Sequence, residues 1–253
     1  MWRKLATLAL ALVIPSILLP LGACGAQASD GASREARQAV PISNPAPAAR
    51  PAPAPAPAAP LVVFLGDSLT AGLGLDENQA YPALLGQQLN QEGKAVRVVN
   101  AGVSGDTTAG GLSRLNWLLG QHPAVLVVGL GANDGLRGLP LTEIESNLRE
   151  IVRRSQAAGA RVLLLGMRIP PNYGPYADQL AALYPKLAKE LNVPLVPFLL
   201  DKVGGIRSLN QADGIHPTAK GQEVVAKNVR PYLEKVLAER SPSPKMTDGR
   251  GLR

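Results

Sequence analysis

Apolar and polar residues between positions 61 and 238 form two different patterns. Five short, almost continuous apolar runs are typical of strands buried on both faces of a sheet. These runs occupy 61–65, 96–99, 124–130, 162–165 and 195–198. Apolar residues at helical spacing cover about 80–92, 106–119, 141–158, 176–191 and 217–238. Strands that alternate with helices predict a three-layer α/β/α fold around a parallel five-stranded sheet.

The first 23 residues have the composition of an export signal. Arg3 and Lys4 precede an apolar run over 5–21 that prolines interrupt twice, which favours a cleaved signal peptide over a membrane-spanning helix. Residues 21–24 (Leu-Gly-Ala-Cys) resemble the lipobox of bacterial lipoproteins, which implies that Cys24 is lipidated and becomes the mature N-terminus. An alternative stays open: cleavage after Ala28, within Ala-Gln-Ala, would release a soluble protein.

Residues 24–60 are predicted to be a tether. Within 41–60 there are eight prolines and eight alanines, and such alternation removes backbone donors and favours polyproline II over packing. At about 3.1 Å per residue, roughly thirty such residues would hold a domain up to ~100 Å from its anchor. The domain itself is predicted over 61–238, and 239–253 is predicted to be a disordered tail.

The formal net charge of +7 on 253 residues first suggests a nucleic-acid binder. The segments 1–60 and 235–253 each carry +3, however, which leaves only +1 for 61–234. A nucleic-acid-binding domain would keep its positive charge on the folded surface, and aromatic residues suited to base stacking are 4% of the chain. We therefore expect no nucleic acid partner. With one cysteine and two histidines we expect no metal site, and no organic cofactor is expected either.

Four polar clusters fall at the ends of predicted strands or just before a predicted helix, where ligands gather in doubly wound sheets. Ser68 follows the first strand, where a hydroxyl would lie near backbone donors that favour negative charge. Asp213 and His216 precede the last helix, and at this spacing the carboxylate can orient the imidazole so that its other nitrogen accepts a proton. Structural alternatives are a helix N-cap for Ser68, and a turn cap with a surface histidine for the pair.

Gly105 and Asn133 stand in the other two clusters and could supply amide donors to an oxyanion. Such donors are each worth on the order of 3 kcal/mol in acyl transfer. A turn glycine and an Asx turn are the structural alternatives. Together the four clusters supply a nucleophile, an oriented base and two oxyanion donors, which indicates acyl-transfer chemistry. The second histidine, His122, precedes a strand at the opposite edge of the sheet and is interpreted as structural.

The same clusters match, in order, the four sequence blocks of the GDSL/SGNH hydrolase family. These blocks are Gly-Asp-Ser-Leu at 66–69, Gly105, Gly-Ala-Asn-Asp at 131–134 and Asp-Gly-Ile-His-Pro at 213–217. Longer runs at 103–107, 133–138 and 168–174 resemble the bacterial multifunctional thioesterase I/lysophospholipase/arylesterase group. The resemblance covers about 61–235, and it implies a flavodoxin-like SGNH-hydrolase fold.

By position, the resemblance implies a role for each motif residue. Ser68 would be the nucleophile, His216 the general base and Asp213 the residue that orients the base. The backbone amides of Ser68 and Gly105 and the side chain of Asn133 would form the oxyanion hole. The loop at 168–174 would line an acyl-binding groove, with contacts from Ile169, Pro170 and Tyr173. Two positions have no role assigned: Ala132, where close relatives usually have glycine, and Arg168, which could favour acidic substrates or simply be solvated.

The activity implied is hydrolysis of carboxylic esters or thioesters, of the arylesterase, acyl-thioesterase or lysophospholipase type. Small-molecule acyl esters or lysophospholipids are the expected substrates of a monomer that faces the periplasm and is anchored to the membrane through Cys24. Gly25 after the cysteine favours the outer membrane. Two alternatives stay open at this point: a carbohydrate O-deacetylase of the cell envelope, and a non-catalytic envelope-binding lipoprotein built on the same scaffold.

Overall fold

A computed structural model of the chain describes residues 58–239, and all structural statements below concern this part. The predicted signal peptide, Cys24 and almost all of the predicted tether and tail lie outside it. The strands are β1 (Leu61–Gly66), β2 (Arg97–Gly102), β3 (Val125–Gly129), β4 (Arg161–Leu165) and β5 (Leu195–Val196). The helices are α1 (Ser68–Ala71), α2 (Tyr81–Gln91), α3 (Thr108–Leu119), α4 (Ala132–Leu136), α5 (Leu141–Ala157), α6 (Pro175–Leu191) and α7 (Ala219–Ala238).

The five strands form one parallel sheet in the order β2-β1-β3-β4-β5. Val62 pairs with Val98 on one side and with Val125 on the other, so β1 lies between β2 and β3. The chain winds outward in both directions from β1, which creates a switch point at the carboxyl ends of β1 and β3. The predicted three-layer, flavodoxin-like fold is confirmed.

Burial follows from the coverage of both faces of the sheet. Every residue of β1 and of β3 is buried, as the continuous apolar runs predict. Helix α2 packs against α7, while α5 packs against both α3 and α6, which forms the two helical layers. Among the helices of the described part, none is both long and apolar enough to cross a bilayer.

Of the predicted boundaries that were wrong, three have identifiable reasons. Strand β2 runs on to Gly102 because its polar end still pairs with β1. Strand β5 stops at Val196, before Pro197, which has no N–H to donate. Helix α7 begins two residues after Pro217, which instead forms an isolated bridge to Asn210. The ranges predicted from helical spacing did not include the short helices α1 and α4, because each is about one turn long.

The backbone of α1 packs closely against the end of β2. A Cβ atom at Gly102 would lie 2.3 Å from the backbone nitrogen of Ala71, so only glycine lets α1 cross the end of β2 at this distance. Asp67 caps α1 by accepting a hydrogen bond from the Leu69 amide at 3.0 Å. The cap of this helix is therefore Asp67, and Ser68 is its first helical residue.

Candidate active site

Ser68, His216 and Asp213 form a continuous series of hydrogen bonds at the carboxyl edge of the sheet. The Ser68 Oγ lies 2.8 Å from His216 Nε2, and His216 Nδ1 lies 2.7 Å from Asp213 Oδ2. Ser68 comes directly from β1, whereas the other two residues lie in the loop before α7. The structure thus brings together three side chains that are up to 148 positions apart in sequence.

The charge of Asp213 fixes the direction of these hydrogen bonds. Its Oδ1 accepts from the backbone amides of Ile215 and His216, each at 3.0 Å. The His216 amide bond, followed by the His216 ring bond and the Ile215 amide bond, lowers the pKa of Asp213 to about 2. An ionised carboxylate can only accept, so Nδ1 carries a proton, and a ring with this proton alone can accept from the Ser68 hydroxyl at Nε2.

The loop that carries Asp213 and His216 is held by its neighbours on both sides. At the start of this loop, the backbone amide of Gln211 donates a hydrogen bond to the His216 carbonyl at 2.7 Å. The Gln211 side chain donates to the carbonyls of Leu73 and Pro217, which ties the loop to the segment after α1. These bonds place the imidazole over the start of α1, where the serine lies.

Gly105 and Asn133 line the same cavity as Ser68 and His216. Gly105 has a φ of +80°, a conformation that glycine adopts readily, and a side chain there would be strained. The Asn133 Nδ2 donates to the Asp106 carbonyl at 2.9 Å and lies 3.4 Å from Asp67 Oδ2. The longer of these two contacts is a weak hydrogen bond, so one amide hydrogen of Asn133 is only weakly held at the wall of the cavity.

The cavity above Ser68 has a volume of about 610 Å³ and predominantly apolar walls. Its apolar side chains include Leu73, Leu136, Ile169, Pro170, Pro171, Phe198, Leu200 and Ile215. The guanidinium of Arg168 also lines it and lies 5.0 Å from the centre of the Phe198 ring. Such a cavity can hold the acyl part of an ester while the polar atoms at one end face the carbonyl.

Two of the three predicted groove residues, Ile169 and Pro170, line this cavity, whereas Tyr173 is not among its lining residues. The hydroxyl of Tyr173 donates to the Leu136 carbonyl at 3.0 Å, so this residue braces the loop. Sequence reasoning missed Phe198 and Leu200, which follow β5. The rule that ligands gather beyond strand ends could have found them.

Two further residues, Ala132 and His122, lie in different parts of the structure. Ala132 begins α4 and lines the cavity beside Asn133, so its methyl group forms part of the cavity wall. His122 is exposed, has a φ of 52° and precedes β3 at the amino edge of the sheet. His122 therefore lies away from the cavity, at the opposite edge of the sheet from Ser68.

Asp67, next to the serine, is a buried carboxyl group at the site. It is 1% exposed, and burial raises its pKa to about 7, against the opposing effect of the Leu69 amide bond. Repulsion from Asp106 contributes in the same direction as burial. A neutral Asp67 would place no negative charge beside the cavity wall where Asn133 lies.

Asp67 should make folding stability fall as pH rises from about 4 to about 7. In this window the folded chain keeps the Asp67 proton. The unfolded chain loses this proton near pH 3.8, the ordinary pKa of an aspartate, so rising pH favours unfolding. Asp67→Asn keeps the size but cannot ionise, and should flatten the pH dependence of the urea midpoint. Asp178→Asn, an exposed change on α6, should keep the wild-type slope. Equal slopes for Asp67→Asn and wild type would contradict the raised pKa.

Comparison with known proteins agrees with the geometry. Residues 64–224 match the GDSL-like Lipase/Acylhydrolase family. Esterase TesA of Pseudomonas aeruginosa is 47% identical over 182 residues, which cover 71% of this chain and 90% of that protein. Thioesterase 1/protease 1/lysophospholipase L1 of Escherichia coli K12 is 45% identical over 171 residues, 67% of this chain and 81% of that protein. A crystal structure of TesA superposes with a TM-score of 0.68 at 46% identity, covering 70% and 99% of the two chains. The chain belongs to the GDSL-like lipase/acylhydrolase family.

Proposed function

We propose that this chain is a serine esterase that hydrolyses carboxylic esters and thioesters through an acyl-enzyme on Ser68. The observation that carries the proposal is the Ser68–His216–Asp213 series of hydrogen bonds, at 2.8 and 2.7 Å, at the floor of an apolar cavity. The names of the relatives, which include esterase, thioesterase and lysophospholipase, support the same reaction class. All three side chains come from one chain, so a monomer suffices for catalysis.

The first half of the reaction forms the acyl-enzyme. The Ser68 Oγ attacks the acyl carbonyl carbon while its proton moves to His216 Nε2. The carbonyl oxygen becomes an oxyanion, which accepts hydrogen bonds from the amides of Ser68 and Gly105 and from Asn133 Nδ2. When this intermediate collapses, the C–O or C–S bond breaks and the alcohol or thiol leaves with the proton from His216.

The second half releases the acid. Water attacks the acyl carbon and gives a proton to His216 Nε2, and the same donors hold the second oxyanion. Collapse breaks the bond to Ser68 Oγ, which recovers its proton from His216. Asp213 stays ionised throughout because its pKa is about 2, so it stabilises the imidazolium that forms twice in each cycle.

The apolar walls favour acyl chains longer than acetyl. Each methylene that is fully buried contributes about 0.8 kcal/mol, or about fourfold in kcat/KM, so p-nitrophenyl butyrate, with two more methylenes, should exceed the acetate by roughly 15-fold. The measurement is kcat/KM for p-nitrophenyl esters from acetyl to palmitoyl, with the purified chain. A maximum at acetyl with a steep decline would instead support a carbohydrate deacetylase. No hydrolysis of any ester by the folded protein would support a non-catalytic binding protein.

We further propose that the enzyme is exported and anchored through a lipidated Cys24, with 24–60 as tether and 61–238 as hydrolase domain. Support comes from the sequence over 1–28 and from the positions at which β1 begins and α7 ends. Mass spectrometry of the mature N-terminus tests the anchor. Acylated Cys24 is the expected result, whereas an unmodified N-terminus at Ser29 would mean cleavage after Ala28.

A further inference from the structure

Helix α4 is fastened to the segment after β2 by side-chain hydrogen bonds, although these two parts of the chain follow strands that are not neighbours. Strand β1 lies between β2 and β3, so no sheet hydrogen bond sets one loop directly against the other. Asn133 Nδ2 donates to the Asp106 carbonyl, and Arg137 donates to the Gly105 carbonyl, both at 2.9 Å. A third connection, through Asp134, is buried.

Asp134 makes the most extensive of these connections. Its two carboxyl oxygens accept from the Thr108 amide at 3.0 and 3.2 Å, and Oδ1 accepts from the Thr108 hydroxyl at 2.6 Å. Asp134 is 1% exposed and Thr108 is fully buried. Buried polar contacts of this kind are rigid, because a group that leaves its partner has no water to replace it.

Asn147 on α5 completes the network. Its Nδ2 donates to the Thr108 hydroxyl at 3.1 Å, which leaves the Thr108 hydrogen directed at Asp134. The hydroxyl thus accepts one bond and donates another. Three helices, α3, α4 and α5, meet at this single hydroxyl group.

The network spans the two segments that carry the oxyanion donors. Asn133 immediately precedes Asp134, and Gly105 lies three residues before Thr108. An oxyanion is stabilised only if donors from both segments converge within about 2.7–3.1 Å of the same point, so a small shift of one segment weakens both contacts. The role argued here rests on the proposed esterase reaction.

We propose that Asp134, acting through Thr108, is a positioning residue that holds the Gly105 amide and the Asn133 side chain at one oxyanion site. Asp134 touches neither substrate nor nucleophile in this account. Its effect reaches the reaction through the placement of two donors that act mainly in the transition state. A loss of this placement lowers kcat more than it raises KM.

The test uses Asp134→Asn, which keeps the size but replaces one acceptor oxygen by a donor. We expect kcat for p-nitrophenyl butyrate to fall by about 10- to 100-fold with KM changed less than about threefold. Thr108→Val, which removes the hydroxyl, should act in the same direction, while Thr108→Ser should restore most of the activity. Ser155→Ala removes another buried hydroxyl, which among residues 58–239 bonds only to the Ile151 carbonyl within α5, and should leave kcat unchanged.

A double-mutant cycle separates positioning from general destabilisation. In the Asn133→Ala background, Asp134→Asn should cost a smaller factor in kcat than it costs in the wild type, because one of the two donors is already lost. Unchanged kcat in Asp134→Asn, losses that multiply in the double variant, or an equal loss in Ser155→Ala would each overturn the proposal. The melting temperature of each variant is measured as well. Values well above the assay temperature exclude unfolding as the cause of a lower kcat.

The controls keep this proposal distinct from the esterase proposal. If the wild type hydrolyses esters and Ser68→Ala does not, while the cycle shows no coupling, only the role of Asp134 fails. If Ser68→Ala retains the wild-type rate, the reaction itself is misassigned, whatever Asp134 does.

Discussion

Ser68→Ala is expected to reduce the hydrolysis of p-nitrophenyl butyrate by more than about 10⁴-fold, with little effect on folding. The variant removes the Oγ that lies 2.8 Å from His216 Nε2 and that would form the acyl-enzyme. Ser68 makes no other side-chain hydrogen bond in the described part of the chain, and its small side chain contributes little to the core. The loss should therefore appear in kcat and not in the free energy of unfolding.

The measurement is single-substrate kinetics beside a thermal melt for each protein. Ser113→Ala is the matched control, since within the described residues this exposed hydroxyl on α3 bonds only to the Gly110 carbonyl. Wild-type kinetics are expected for Ser113→Ala. Turnover by Ser68→Ala at the wild-type rate would remove the basis of the proposed function, because no acyl-enzyme could then form at Ser68.

Asn133→Ala is expected to lower kcat by about 10²-fold or more while KM stays within about threefold of the wild type. The amide contributes little to the bound ester but donates to the oxyanion as charge develops on oxygen. The variant also removes the bond to the Asp106 carbonyl, so the thermal melt must accompany the kinetics. A change confined to KM would indicate a substrate-binding role and would contradict an oxyanion contact.

The same variant offers a test of transition-state binding. A phosphonate that reacts with the serine leaves a phosphoryl oxygen, which carries partial negative charge, where the oxyanion would form. Asn133→Ala should therefore react with such a phosphonate more slowly than the wild type, in parallel with the loss in kcat. An unchanged rate of phosphonylation, combined with a lower kcat, would place the role of Asn133 in a later step.

Most of the fold could be predicted from sequence because the pattern of apolar residues is clear in most strands and helices. Buried parallel strands such as β1 and β3 are apolar without interruption, and the helices between them show clear helical spacing. The ends of elements were harder. The polar end of β2 carries no apolar signal, yet it pairs with β1 through backbone atoms that any side chain permits. One-turn helices such as α4 have too few residues to show a period.

The parts of the site differ in how far sequence could predict them. The motif residues Ser68 and His216 stand at strand and helix ends, and the topology brings them to one edge of the sheet. The protonation of Asp67 and the network around Thr108 could not be predicted in the same way. Both depend on which groups are buried together, and burial of a polar side chain is decided by tertiary packing that no local pattern records.

The folded domain carries little of the net charge. Residues 61–234 hold only one of the seven units of net positive charge, so the part of the chain that forms the cavity is nearly neutral. The cavity walls are mostly apolar, and Arg168 is the one arginine or lysine among the described residues that line the cavity. An uncharged acyl chain suits this cavity, and an anionic group on the substrate would find a partner only near Arg168.

Covalent labelling by a fluorophosphonate probe, followed by peptide mass spectrometry, tests the central claim most directly. Ser68 is expected to carry one probe molecule per chain, His216→Ala should label far more slowly, and Ser68→Ala should not label at that peptide. The result depends on an activated serine and not on the choice of ester. A folded protein that carries no label, or a label on another serine that Ser68→Ala leaves intact, would contradict the assignment of Ser68 as the nucleophile.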